Sequence, residues 1–224
     1  MEARKLVRGI HHFRANYFAS HRALFDQLAT AGQRPETLFI TCSDSRVVPN
    51  LMTTAAPGEL FIVRNIGNVV PPYDPANAGA TSAALEYAVC VLGVENIIVC
   101  GHTSCGAMHA LLEPDTLKEL PHVSRWLRHT ARLRDLLASR YANLEGEARL
   151  TAAAEENVLV QLEHLRRYPF IARALDEGRL QMNGWVFKIA TGQVFDFDPN
   201  REEFLPLGSG PEPSQDGVSP TSID

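Results

Sequence analysis

Three short apolar runs, at residues 37–42, 60–64 and 96–100, with a helical stretch at 77–92 between the last two, constrain this chain more than any other feature. Runs of that kind read as strands, and strands alternating with helices require a mainly parallel sheet flanked by helices, an α/β fold. Gly93 stops the intervening helix.

Upstream, Leu6, Ile10, Phe13, Tyr17, Leu24 and Leu28 recur at helical spacing. They predict an opening amphipathic helix that packs on a core or a second subunit. Downstream, residues 120–140 read as helical, and Thr151 reads as the N-cap of a helix reaching Arg167, where Tyr168 and Pro169 interrupt it. Trp185, Phe187 and Ile189 then alternate with polar or smaller residues, Thr191-Gly192 makes a turn, and Val194, Phe195 and Phe197 follow. That pattern predicts a late hairpin at a sheet edge.

At 224 residues, 45% hydrophobic and 21% charged, the chain supports one compact domain, placed here at 1–207. Residues 208–224, rich in Gly, Pro and Ser, hold almost no large apolar side chain and are expected to form a disordered tail. The net charge of −5 and the scattered Lys and Arg argue against nucleic acid as a partner. The opening segment lacks the apolar core of a secretory signal, and Glu86 interrupts the most apolar stretch. The expectation is a soluble, cytoplasmic protein without a membrane partner.

Four cysteines, Cys42, Cys90, Cys100 and Cys105, have more use in metal binding or burial than in disulfides in a chain with its own core. Cys90 and Cys100 lie in apolar stretches and read as buried small hydrophobes. Cys42 closes one predicted strand, while His102 and Cys105 lie just past another, so all three can meet at the carboxyl edge of the sheet, where open α/β folds place ligands. Any one of them alone would read as a core residue; together they form a soft N/S set suited to one Zn2+ ion. Three protein ligands leave a fourth position for water, the arrangement of a catalytic site. Asp44 and Arg46, two residues apart just after the first ligand, can pair as carboxylate and guanidinium, so that Asp44 orients a zinc-bound hydroxide. If the pair breaks, the carboxylate has a route onto the metal. His109, His122, His129 and His164 show no ligand-like spacing with the trio.

CSDSRV at 42–47, GELFIVRNIGN at 58–68 and GHTSCGAM at 101–108 resemble β-class carbonic anhydrase, and the likeness runs to about residue 200. It extends to the plant-like branch and to cyanobacterial, carboxysome-associated members. The resemblance implies zinc ligation by Cys42, His102 and Cys105, the Asp44–Arg46 dyad beside the metal, and reversible hydration of carbon dioxide to bicarbonate and a proton. It also implies a substrate slot lined by Gln33, Phe61, Ile66 and Tyr87, with the Gly106 amide as a donor to bound anion. Phe39 stands where another branch has the Trp of a regulatory bicarbonate site, so inhibition of that type is not expected. Family members form homodimers or larger assemblies of dimers with active sites at the interface. Their C-terminal extensions can meet carboxysome shell or scaffold proteins, which suggests a carboxysomal location and partner for the tail. Two alternatives keep the same zinc: a hydrolase of carbon disulfide or carbonyl sulfide, and a catalytically silent assembly protein.

Overall fold

The computed structural model describes residues 3–76 and 79–208. Its centre is β1 (Thr37–Cys42), apolar at Leu38, Phe39 and Ile40 and buried along five of its six residues. A strand covered on both faces carries such a continuous run. Parallel neighbours flank it: β2 (Leu60–Asn65) on one side and β3 (Asn96–His102) on the other.

β4 (Gln181–Lys188) adds in parallel to β3, then β5 (Gln193–Asp198) and β6 (Glu203–Pro206) add antiparallel, giving the order β2-β1-β3-β4-β5-β6. The expected hairpin is therefore present, turning at Gly192 with φ +72°, but its first arm is an interior strand and β6 forms the edge. Four-residue β6 is too short to stand out by alternation.

Nine α-helices of the described residues surround the sheet: α1 (Ala3–Phe13), α2 (Arg22–Ala31), α3 (Pro49–Thr53), α4 (Ala80–Glu86), α5 (Gly106–Leu112), α6 (Pro121–Leu127), α7 (Ala131–Arg140), α8 (Gly146–Arg166) and α9 (Pro169–Asp176). α4 continues as wide π-type turns through Tyr87–Leu92 and ends where Gly93 adopts φ +68°. The predicted opening helix is interrupted, with wide turns at Arg14–Phe18 and a break at His21 before α2. Its stripe does not rest on the chain's own core, since Leu6, Ile10 and Phe13 are 61%, 59% and 42% exposed.

Thr151 is not a cap: α8 starts five residues earlier, after extended Glu145, and Thr151 lies inside it. Gly146 at φ +53° and Glu147 in the first turn mark the true start, the carboxylate suiting the positive helix end. The C-terminal end falls at Arg166, before Tyr168 and Pro169.

Gly101 on β3 and Gly184 on β4 let α8 lie directly against the sheet. A Cβ on Gly184 would stand 2.8 Å from Val158 Cγ1 and 2.9 Å from Leu162 Cδ1, closer than carbon atoms pack. Gly184→Ala is therefore expected to cost about 1–3 kcal/mol through overpacking, read as a lower denaturant midpoint at unchanged slope. An unchanged midpoint would mean that α8 can retreat freely.

Cys100 is buried as expected, and burial pushes its thiol up to about 12. Cys90 is exposed instead, on the outer face of the wide turns after α4 beside exposed Tyr87 and Val91. The segment is apolar on both faces, so its composition conceals which one turns inward. Apart from Gly208, the tail lies outside the described residues.

Candidate metal centre

Strand direction brings the ligands together. Cys42 ends β1, His102 ends the adjacent parallel β3, and Cys105 follows a tight turn immediately before α5. The turn requires Ser104 at φ +54°, a left-handed conformation that non-glycine residues rarely adopt. The ligand atoms of the three residues lie within 4.8 Å of one another, and all three residues are buried.

His102 is prepared as a ligand. Its Nδ1 lies 2.9 Å from the Thr103 carbonyl, which fixes the proton there, and its Nε2 is buried with no hydrogen-bond partner. A bare, buried nitrogen facing two thiols is costly without a Lewis acid, so this donor set fits zinc. A hydrogen bond from the Cys105 thiol lowers the Cys42 pKa, and the resulting thiolate together with burial raises that of Cys105. Without an ion the pair retains one proton; a cation would release it.

Beside the ligands, Arg46 grips Asp44 in a fork, Nε to Oδ1 at 2.9 Å and Nη2 to Oδ2 at 2.8 Å, while the Arg46 amide donates to Oδ1 at 3.0 Å. These bonds, the guanidinium's first, hold Asp44 well below the usual carboxylate range. Arg46 also donates to the Ser104 carbonyl at 3.1 Å, tying the dyad to the strained turn. Asp44 Oδ2 lies 3.9 Å from His102 Nε2, at the edge of the space the ion would occupy.

Several contributors had no signal of their own in the sequence. Arg64 donates to the carbonyls of Cys42 at 3.1 Å and Asp44 at 2.7 Å, holding the CSDSR loop on β2. Gly67 donates its amide to Cys42 Sγ at 3.4 Å. A hollow of about 530 Å³ opens beside the loop, lined by Ser43, Arg64, Asn65, Ile66 and Trp126 among others.

The proposed substrate residues are dispersed in the single chain. Ile66 is 43% exposed in the hollow, and Gly106 opens α5 with free space beside its Cα. Phe61 and Tyr87 face each other with ring centroids 6.0 Å apart. In the β1–β2 register, however, Phe61 pairs with Leu38 and Asn65 with Cys42, so Phe61 sits four residues, roughly 13 Å, from the metal end of its strand. Gln33 is exposed after α2.

Two cysteines and a histidine, gathered at the carboxyl edge of a parallel sheet, are the donor set of a zinc enzyme that acts on bound water. A family model described as carbonic anhydrase matches residues 37–194. The carbonic anhydrase of Synechocystis sp. is 48% identical over 202 residues, covering 90% of this chain and 73% of its own. Among solved structures, the β-carbonic anhydrase CcaA superposes with a TM-score of 0.88 at 46% identity, covering 92% of each chain. One of two tetrameric β-carbonic anhydrases from Sordaria macrospora does so at 0.78 and 29%, covering 86% of this chain and 95% of its own. The chain belongs to the β-class carbonic anhydrase family, zinc enzymes that hydrate carbon dioxide to bicarbonate.

Proposed function

We propose that Asp44, locked by Arg46, is the group that orients water for attack on carbon dioxide in this chain. A zinc ion on Cys42, His102 and Cys105 supplies the Lewis acid that brings the pKa of a water down to about 7. Asp44 stays ionised throughout the neutral range and can only accept a hydrogen bond there, which turns a water's lone pair away from the carboxylate and toward the substrate. Ile66 covers the hollow's apolar side, suited to a small uncharged molecule. The observation that carries this reading is the placement of a fixed Asp44 oxygen 3.9 Å from the orphaned His102 nitrogen.

Stopped-flow hydration by the zinc-loaded protein, followed from neutral to alkaline pH beside its zinc content, tests the activity. Fast hydration rising with pH is expected. Retained zinc without hydration at any pH would favour the assembly role or another substrate, and carbonyl sulfide turnover would separate those two.

The substrate slot is completed, in this reading, by a second copy. Phe61 and Tyr87 stand too far from their own metal end to line its pocket, and the uncovered Leu6, Ile10 and Phe13 give α1 an apolar face for a partner to cover. The Sordaria neighbour is tetrameric, in keeping with such pairing. Ile10→Glu changes a 59% exposed position, so the chain itself should fold while the assembly dissociates. Light scattering should show a smaller particle and hydration should fall with it; an unchanged particle mass would sink the role given to α1.

Residues 1–207 serve as the catalytic domain, with Gln33 and the Gly106 amide contributing to the slot and to anion binding respectively. No helix among the described residues is long and apolar enough to cross a membrane. The proposal extends to a cytoplasmic, carboxysomal location with a shell or scaffold partner on the 208–224 tail, for which the likeness to a Synechocystis carbonic anhydrase is the motive. Co-sedimentation of the full chain and a 1–207 truncation with carboxysome shells would test the tail.

A further inference from the structure

The amide between Ile66 and Gly67 is gripped at both ends. On one side its N–H donates to Cys42 Sγ at 3.4 Å. On the other, its carbonyl oxygen accepts from Trp126 Nε1 at 2.8 Å, a contact spanning sixty residues. A donor on an amide oxygen polarises the amide and strengthens its N–H as a donor in turn.

The far side of Gly67 is fixed as well. Asn157 Nδ2 on α8 donates to the Gly67 carbonyl at 2.9 Å, and Gln161 Nε2 donates to Asn157 Oδ1 at 2.8 Å. The Val70 amide closes the ring by donating to Gln161 Oε1 at 2.8 Å. Asn157 and Gln161 are 1% and 0% exposed, so every one of these bonds is dry. Gly67 holds φ +78°, and a Cβ there would lie 2.9 Å from the Ala107 Cβ, so the backbone at this point approaches α5 as closely as glycine permits.

We infer that Trp126 is a positioning residue for the metal centre: through the Ile66–Gly67 amide it strengthens the hydrogen bond on the Cys42 thiolate and so limits the charge that sulfur donates to the metal. Asn157 holds the next peptide, on the other side of Gly67, from α8. A hydrogen bond to a ligand atom tunes the metal through that ligand, and two fixed ends prevent this one from lengthening. The inference rests on the zinc reading of the site.

The test uses the cobalt(II)-substituted full chain, whose thiolate-to-cobalt charge-transfer band reports electron density on sulfur. Trp126→Phe keeps a ring on a half-buried surface and removes the indole N–H. The band should move to lower energy, with circular dichroism and particle mass unchanged, because a thiolate with a weaker hydrogen bond gives up charge more readily. A band at the wild-type position in the folded variant would overturn the inference. A second readout needs no variant: in wild-type protein loaded with NMR-active cadmium, the Gly67 amide proton should couple to the metal through Cys42 Sγ, and absence of that coupling would also overturn it. Wild-type protein that takes up cobalt with no thiolate band at all would instead overturn the metal reading itself.

Discussion

The Cys105→Ala protein is expected to purify with almost no zinc and to hydrate carbon dioxide no faster than buffer. Cys105 supplies one of two anionic donors, and the remaining Cys42 and His102 cannot enclose an ion on their own. Loss of a mere supporting contact around a metal costs 10–100-fold in affinity, on the order of magnitude seen for such partners, and loss of a ligand exceeds that. Stability should follow, since ligand at 1,000 times its dissociation constant stabilises a native state by about 4 kcal/mol. Chelator-treated wild type and Cys105→Ala should therefore melt at similarly lowered temperatures, with added zinc restoring only the wild type. Elemental analysis settles the matter: one zinc per chain in the variant would remove Cys105 from the ligand set.

Asp44→Asn should retain zinc and lose on the order of 100-fold in turnover, the scale of a positioned proton acceptor. The amide keeps the shape of the carboxylate but presents an N–H where a lone pair is needed. Arg46→Ala reaches a similar loss by another route, because the freed carboxylate starts 3.9 Å from His102 Nε2 and can swing onto the metal's open side. The pair also makes a pH-dependent contribution to stability. Asp44's folded pKa is depressed by Arg46, so the dyad's contribution is full above the unfolded carboxylate value of 3.8 and is lost as pH falls from there through the lower folded pKa. The stability difference between wild type and Arg46→Ala should be full at neutral pH and shrink in acid; a difference constant across that range would mean that the pair does no electrostatic work.

Much of this architecture is legible because it is local. β1 and β3 begin where their apolar runs begin, and the ligands stand at strand ends, so a parallel sheet has to carry Cys42 and His102 to one edge. Errors arose where local pattern is ambiguous. Thr151 looks like a cap because it precedes a run of alanines, yet the helix already starts at Gly146, with an exposed first turn that carries Glu147 at the positive helix end. Cys90 sits between buried Val89 and exposed Val91, so apolar composition alone does not tell which face turns inward.

The sequence by itself determined the α/β alternation, the ligand trio and the Asp44–Arg46 pair, because each depends on residue type and on separations of a few positions from a strand end. Only the tertiary structure decided what surrounds them. Trp126 reaches Ile66 across sixty residues and Asn157 reaches Gly67 across ninety, through single hydrogen bonds whose existence depends on where α6 and α8 come to rest. α8 comes to rest there because Gly101 and Gly184 leave Val158 its space, a packing condition that no periodicity or local spacing records.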